Sequence, residues 1–256
     1  MKTATAFDTS ALRNAIREEY TEVANNPYKG FHFLSGPALA QMLGYTEDLL
    51  FKIPETAIES FAGVGNPFRM GLPEEGQTVV DIGCGAGMDA LIAARLVGQT
   101  GVVVGIDMTF AMIQKARRNV WLSWIFNAQF IQAHAESLPL AGNYADMVIS
   151  NGVINLCPDK QAVFDEIYRV LRPGGRLQIA DVLLKRPVSE QSKDHVHLWT
   201  TCVAGGLLQE EYEQILRTAG FRNIRIMDAY DVFKDAPVAS SAASFDAKGY
   251  NIYAEK

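Results

Sequence analysis

One short segment, Val79–Asp89, limits most strongly the folds that this chain can adopt; its sequence is VVDIGCGAGMD. The apolar, β-branched run Thr78–Ile82 predicts a buried parallel strand, and Met88–Leu96 has helical spacing. Between them lie three glycines at alternate positions, Gly83, Gly85 and Gly87. A strand, a glycine turn and a helix in this order form a ligand cradle, because the turn backbone allows close approach and the first N–H groups of the helix are free.

Strand and helix patterns alternate after this segment. Further strands are predicted at Val102–Ile106, Ala128–Gln132, Met147–Ser150, Arg176–Asp181, Phe221–Met227 and Tyr250–Ala254. Further helices are predicted at Phe110–Asn119 and Lys160–Leu171. Alternation at this period predicts an α/β fold, with a parallel sheet covered by helices on both faces.

The chain divides into two parts at the sequence level. Residues 1–75 carry short helical patterns and are predicted to form a helical N-terminal extension, or lid. Residues 76–256 are predicted to form the α/β domain, with an inserted helical segment at about 186–207. The segment Asp235–Ala247, rich in Ala, Ser and Asp, is predicted to be a loop.

Composition excludes several classes of protein. The 256 residues are 48% hydrophobic and carry a formal charge of −6, with a pI near 5.3. This balance argues against a nucleic-acid partner. No apolar run reaches membrane-spanning length, and Met1–Ser10 has no apolar core of the secretory type. Three cysteines do not make a disulfide framework. We therefore expect a cytoplasmic protein with no membrane partner, and the oligomeric state stays open.

The glycine spacing bears on the cofactor. A dinucleotide site requires Gly-x-Gly-x-x-Gly, but Met88 occupies the position of the last glycine. The next strand ends in Asp107, 26 residues after Asp81, where a carboxylate can accept hydrogen bonds from both ribose hydroxyls of a nucleoside. That acid suits S-adenosylmethionine (SAM) and NAD equally. The turn can also be a plain α/β connection, with Asp107 acting as a helix cap.

Several blocks together resemble the class I SAM-dependent methyltransferases. They are Asp81–Asp89, Val104–Thr109, Glu136–Pro139, Ile149–Lys160 and Tyr168–Asp181. More narrowly, Gly105–Thr109, Ser150–Lys160, Gly63–Pro67 and Trp199–Gly206 resemble the arsenite methyltransferase family, and the likeness extends over most of Leu12–Arg225. The resemblance implies a doubly wound, mostly parallel, seven-stranded Rossmann-like sheet.

The resemblance also implies a set of site residues. SAM, with S-adenosylhomocysteine as its product, would be bound by Asp81, Gly83, Gly85, Gly87, Asp107, Met108, Ala135, Glu136 and Asn151. The candidates for a catalytic role are Tyr20, His32, Asn151, His197 and Cys202. Each has an ordinary alternative: Tyr20, His32 and Cys202 as core residues, Asn151 as a turn residue, and His197, like its neighbour His195, as a solvated or capping side chain. No metal site is predicted.

The cysteines separate this chain from the family that it most resembles. Arsenite methyltransferases hold trivalent arsenic with thiolates, since As(III) prefers sulfur ligands. The family's first two cysteines fall at Val64 and Gly152, and only Cys202 matches. Our main hypothesis is therefore methylation of another small molecule by in-line transfer, with arsenite methylation as the alternative. A non-catalytic SAM-binding protein and a nicotinamide oxidoreductase remain further alternatives.

Overall fold

A computed structural model describes residues 8–188, 199, 205–234 and 236–256. Eight strands form one sheet in this part of the chain: β1 (Thr78–Ile82), β2 (Val102–Asp107), β3 (Ala128–Gln132), β4 (Ala145–Asn151), β5 (Leu171–Leu184), β6 (Leu207–Leu208), β7 (Arg222–Tyr230) and β8 (Lys248–Glu255). Seven follow the order β3-β2-β1-β4-β5-β8-β7, and the two-residue β6 pairs with β5. β8 runs antiparallel to both of its neighbours, β5 and β7, and the other strand pairs are parallel.

Helices cover both faces of the sheet. They are α1 (Thr9–Asn25), α2 (Gly36–Met42), α3 (Glu47–Leu50), α4 (Glu55–Ile58), α5 (Met88–Leu96), α6 (Phe110–Ser123), α7 (Lys160–Val170), α8 (Gln209–Ala219) and α9 (Ala239–Phe245). Consecutive strand residues point to opposite faces. Val79 therefore packs in one apolar cluster with residues of α1, α2, α5 and α6, and Val80 in another with residues of α7 and α8. Burial on both faces explains the continuous apolar runs of the parallel strands.

The N-terminal helices pack on α6 through a buried cation. The Lys115 ammonium donates hydrogen bonds to the carbonyl of Ala24 at the end of α1, to Oε1 of Glu59 at 2.7 Å, and to Oγ of Ser60. Asn119, one turn further along α6, accepts a hydrogen bond from the Thr56 hydroxyl. These contacts fix the helical extension against the α/β part, close to the glycine turn.

The structure confirms the α/β fold class and the seven-stranded order, with β6 as a small addition. The predicted loop at Asp235–Ala247 is wrong, because Ala239–Phe245 forms α9. Its alanines are strong helix formers, and Ala242 packs into the core. Most of the predicted insertion at 186–207 lies outside the described residues, and the proposed domain boundary at 75/76 stays a prediction. No helix in the described ranges is long and apolar enough to cross a membrane.

Candidate functional site

An open cavity lies at the carboxyl ends of β1, β2 and β4. The strand order reverses between β1 and β4, which is where open α/β sheets bind ligands. Helix α1 and the segment 57–63 form the opposite wall. Sequence-distant parts of the chain thus enclose one space beside the glycine turn.

The glycine turn owes its shape to backbone hydrogen bonds with the next strand. The N–H groups of Gly83 and Cys84 both donate to the carbonyl of Ile106, at 2.7 and 3.0 Å. Gly83 has φ +71°, and a Cβ added there would lie 2.1 Å from Cγ2 of Val153. A side chain at this position would clash as well as strain the backbone, so only glycine fits.

Gly87 differs from the other two glycines of the turn. Gly83 and Gly85 line the cavity, whereas Gly87 does not. It caps α5 with φ +91°, and a Cβ there would lie 2.9 Å from the Phe130 ring. The glycine at 87 therefore serves the close packing of α5 against β3, and the structure does not place it against a ligand.

Asp107 stands at the end of β2 and lines the cavity. Its Oδ2 accepts a hydrogen bond from the N–H of Gly85 at 2.9 Å, and its Oδ1 accepts one from the N–H of Thr109 at 2.8 Å. The carboxylate thus fixes the glycine turn and the start of α6 together. Burial raises the pKa of Asp107 despite these two hydrogen bonds.

Two further buried carboxyl groups face the same space. Asp81 is 2% exposed, and its Oδ2 has no hydrogen-bond partner within the protein. Burial, together with the charges of Asp89 and Asp107, raises the pKa of Asp81 well above its usual range. Burial raises the pKa of Asp89 to about 6. A buried carboxyl oxygen without a donor is costly, so the cavity is suited to a ligand that brings a donor or a positive charge.

Asp89 belongs to a hydrogen-bonded network with Tyr45 and Asn151. The Tyr45 hydroxyl donates to Asp89 Oδ1 at 2.7 Å, and Asn151 Nδ2 donates to Asp89 Oδ2 at 3.1 Å. Asn151 Oδ1 accepts from the N–H groups of Val64 and Gly65. The amide at the end of β4 therefore holds the N-terminal segment against the glycine-turn helix.

Comparisons with known proteins agree with this geometry. A family model described as a methyltransferase domain matches residues 73–220. The chain belongs to the methyltransferase domain family. It is 41% identical over 187 residues to an arsenite methyltransferase of Halobacterium salinarum, covering 73% of this chain and 48% of that protein. It is 35% identical over 198 residues to the arsenite methyltransferase of Rattus norvegicus, covering 72% and 52%.

A solved structure extends the likeness to the fold. CrArsM, an arsenic(III) S-adenosylmethionine methyltransferase from Chlamydomonas reinhardtii, superposes with a TM-score of 0.68 at 33% identity, over 87% of this chain and 74% of that one. The predicted class I SAM-dependent methyltransferase family and its Rossmann-like fold are confirmed. The chain spans about half the length of the curated relatives that it matches.

The cavity has a second end, beyond the hydrogen bonds between Tyr45, Asp89 and Asn151. Positions 64 and 152, which carry cysteines in the arsenite methyltransferase family, meet there. Gly152 lines the cavity with φ +73°, and a Cβ added there would lie 3.5 Å from Cγ1 of Val64. Val64 itself is buried and does not line the cavity. The fold thus brings the two positions together, and neither carries sulfur.

Two cysteine thiols do line the cavity, at different places. Cys84 lies in the glycine turn, and Cys157 follows β4; both are buried and free of disulfides. Burial raises the pKa of each thiol well above its usual value, so both are neutral near pH 7. His195, His197 and Cys202 lie outside the described residues.

The rim of the methyltransferase cavity joins α1 to the loop after β3. Arg13 of α1 and Glu136 form an ion pair of 3.0 Å, and both line the cavity. Tyr20 also lines it and stacks on Phe33 with ring centroids 5.9 Å apart. Met108 and Ala135 are further lining residues that the sequence predicts.

His32 is placed differently from the other predicted catalytic candidates. Its Nδ1 lies 2.9 Å from Oε1 of Glu19, and it does not line the cavity. No group of three or more His, Cys, Asp or Glu side chains is arranged to hold a metal ion in the described ranges.

Sequence reasoning missed Arg13 and Asp89, which line the cavity, and Tyr45, which donates a hydrogen bond to Asp89. A signal existed for Asp89, because it directly follows the glycine turn in the first turn of α5. No sequence signal indicated Tyr45 or Arg13. The contact of Tyr45 with Asp89 spans 44 residues of sequence, and that of Arg13 with Glu136 spans 123.

Proposed function

We propose that this protein is an S-adenosylmethionine-dependent methyltransferase that transfers a methyl group to a small-molecule acceptor. One observation carries the proposal: the cavity beside the glycine turn is lined by buried carboxyl groups, one of which, Asp81, has an oxygen without a donor. When bound, SAM supplies a methyl group activated by a sulfonium, and it also carries an ammonium group that matches such a carboxylate.

The charge of the cavity discriminates between cofactor classes. Its acidic lining residues are Asp81, Asp89, Asp107 and Glu136, and the only Lys or Arg among the described lining residues is Arg13. This balance favours a cofactor with a net positive charge. It disfavours the two negative charges of a dinucleotide pyrophosphate, which speaks against a nicotinamide oxidoreductase.

Each part of the lining suits one part of the cofactor. Asp107 retains acceptor capacity for ribose hydroxyls after accepting its two backbone hydrogen bonds. Gly83 and Gly85 let the backbone approach the amino-acid end, near Asp81. Met108, Ala135 and Glu136 line the region assigned to adenine. Gly87 is left out of this set, because it faces Phe130.

The other end of the cavity, lined by Gly63, Asn151 and Cys157, is the proposed acceptor end. Its role is to align a nucleophile with the methyl group. Asn151 fixes the wall formed by residues 63–65, and Tyr20 covers the space from α1. The main contribution of the protein is orientation in an enclosed site, which is worth roughly 7–11 kcal/mol in well-aligned reactions. Of the candidates for a proton acceptor, His32 contacts Glu19 and does not line the cavity, whereas His134 does line it, as does Asp89, whose pKa is about 6.

A two-stage experiment tests the proposal. The melting temperature is measured first with SAM, S-adenosylhomocysteine or NAD, since a ligand at a hundred times its dissociation constant adds about 2.7 kcal/mol of stability. Formation of S-adenosylhomocysteine is then measured with a panel of thiol, amine, hydroxyl and carbon acceptors. Stabilisation by NAD alone would overturn the proposal, and SAM binding without turnover on any acceptor would support the non-catalytic alternative.

Arsenite methylation is the second candidate function. The named relatives and CrArsM favour it, at 33–41% identity. The absence of sulfur at Val64 and Gly152 counts against it, because a single thiolate holds As(III) weakly. Including As(III) in the acceptor panel, with detection of methylated arsenic, decides between the two candidates.

We further propose a cytoplasmic location and no nucleic-acid partner. The two described cysteines are free thiols, which is usual in a reducing compartment. The acidic pI near 5.3 disfavours binding to a polyanion. Fluorescence localisation of the tagged chain and a filter-binding assay with DNA and RNA test these two points.

A further inference from the structure

Five large apolar side chains are exposed along α6 and the turn after it. Trp121 and Trp124 are 71% and 79% exposed, and Phe110, Leu122 and Phe126 are 51–54% exposed. We name this group the α6 aromatic patch. Phe110 and Trp121 are eleven residues apart, which is three helical turns, so both lie on the outward face of α6. The methyltransferase function proposed above uses none of these five side chains.

The patch is ordered by its own contacts. The Phe126 ring makes edge contacts with Trp121 and Trp124, at centroid distances of 5.2 and 6.1 Å. Trp124 caps α6 with φ +58°, a left-handed conformation that costs a non-glycine residue energy. The inner face of α6 is already buried against α1 and the sheet. The patch is therefore an outer surface, separate from the core.

The segment of sequence that carries the patch contains basic residues but no acidic ones. The chain carries a net charge of −6, yet residues 108–135 contain Lys115, Arg117 and Arg118 and no acidic residue. Lys115 points inward to Glu59, and the guanidinium of Arg117 donates two hydrogen bonds to the carbonyl of Phe130, whereas Arg118 is exposed on α6. Both α1 and α4 of the extension pack on α6 and carry acidic residues; Glu22 of α1 pairs with Lys29, and Glu59 beside α4 pairs with Lys115. Two exposed indoles thus lie on the same helix and following turn as the exposed Arg118.

We propose that the α6 aromatic patch docks this protein peripherally on an anionic lipid bilayer. Tryptophan prefers the membrane–water interface, because its ring is apolar and its N–H remains hydrated, and arginine binds headgroup phosphate. The two indoles protrude, so a protein partner would need a matching groove, whereas acyl chains and headgroups adapt to protruding rings. Such docking needs no membrane-spanning helix, and it replaces the sequence-based expectation that the protein has no membrane partner.

Intrinsic fluorescence provides a direct assay. The chain has three tryptophans, and the third, Trp199, is 8% exposed, so a change on binding reports mainly on the patch. The full-length protein is titrated with vesicles of phosphatidylcholine alone or mixed with phosphatidylglycerol. We expect a blue shift with the anionic vesicles and co-sedimentation with them, weakened by added salt because the arginine contribution is screened.

Variants separate the two contributions. Replacing both indoles, W121S with W124S, is expected to weaken co-sedimentation roughly tenfold or more, because binding scales with the apolar area inserted. R118E is expected to weaken binding to anionic vesicles at least about fivefold, the effect of roughly one basic residue near such a surface. F51S removes an aromatic side chain of similar exposure outside the patch and is the matched control. All these side chains are exposed, and circular dichroism checks that the variants fold.

The results that would overturn the proposal are distinct. Binding that is equally strong in W121S/W124S would place the lipid contact elsewhere. Equal binding to neutral vesicles with no effect of R118E would remove the anionic component. Absence of vesicle binding, with a dimer in light scattering that W121S/W124S dissociates, would assign the patch to a second copy of this chain. SAM binding is measured in parallel, so a failure of the proposed function is seen separately.

Discussion

The two ends of the cavity are built in opposite ways. At the cofactor end, Asp81, Gly83 and Asp107 come from two adjacent strands within 26 residues of sequence. At the acceptor end, Gly63, Asn151 and Cys157 come from segments separated by long stretches of chain. The cofactor end is a local motif that a parallel strand pair assembles, whereas the acceptor end exists only after the N-terminal extension has packed on the sheet.

The two ends also differ in chemistry. Carboxyl groups with raised pKa values line the cofactor end, where a cationic ligand would compensate their burial. Small or uncharged groups, including Gly63, Gly152 and Cys157, line the other end. Under the proposed function, the acceptor would be selected at this second end, where the positions of Val64 and Gly152 meet.

The largest expected effect is at the cofactor end. D107A removes the proposed acceptor of two ribose hydrogen bonds, each worth about 1.5 kcal/mol when charge-assisted, so SAM affinity should fall about 100-fold. Calorimetric titration with SAM and S-adenosylhomocysteine measures this. D228A, a carboxylate outside the cavity, is the control. Affinity within threefold of wild type in D107A would show that Asp107 serves only to fix the glycine turn and the start of α6.

Restoring thiols tests the acceptor end. V64C with G152C places two sulfur atoms at neighbouring positions, and As(III) affinity should rise at least about tenfold through chelation. A side chain at 152 costs roughly 1–2 kcal/mol, because φ there is +73°. V64S with G152S carries the same strain without sulfur and is the matched control. Equal As(III) binding by the two double variants would mean that these positions do not select the acceptor.

The pH dependence of SAM binding should distinguish the cofactor end from the rest of the core. The pKa of Asp89 is about 6, so lowering the pH through 6 protonates it and weakens binding of a cation, by up to about tenfold per pH unit. D89N should flatten this profile. Asp181 has a pKa of about 6 for the same reason, burial, but does not line the cavity, so D181N should leave the profile unchanged.

The stability of the ligand-free protein should depend on pH in the opposite direction to SAM binding, through Asp89 and Asp181 alike. Burial raises both pKa values above the usual 3.8, so folding favours the protonated forms. Their contribution to the free energy of unfolding is present below pH 3.8 and is lost as the pH rises through about 6. Urea titrations from pH 4 to 7 should show this loss, reduced in D89N and in D181N alike. A loss of stability that D89N and D181N leave as large as in wild type would contradict the assignment.

The smallest expected effect is at the rim. R13A breaks the partly exposed ion pair with Glu136, and such pairs contribute at most about 1 kcal/mol, so SAM should dissociate about two- to fivefold faster. If the attraction between the two charges is what slows SAM dissociation, the exchanged pair R13E with E136R should restore the wild-type dissociation rate in stopped-flow measurements. A rate that R13A leaves unchanged would show that α1 closes the cavity through Tyr20 and its apolar neighbours alone.

The cofactor end was accessible from the sequence because its constraints are local. Apolar strand, glycine turn and helix follow one another directly, and the structure places Gly83, Gly85, Asp81 and Asp107 on one cavity wall. Gly87 shows the limit of local reasoning: its neighbour Phe130 is 43 residues away in sequence, and the contact exists only after β3 and α5 have packed. The loop predicted over 235–247 fails for a similar reason, since α9 is stabilised by burial of Ala242.

The sequence by itself determined the fold class, the family and the donor end of the cavity, because these depend on periodicity and on residues close along the chain. Only the tertiary structure decided that Tyr45 and Asn151 share Asp89, that positions 64 and 152 touch, that Arg13 reaches Glu136, and that His32 turns away to Glu19. The physical reason is the same in each case. Contacts between distant segments depend on how helices pack on a sheet, and packing depends on the shapes of many side chains at once.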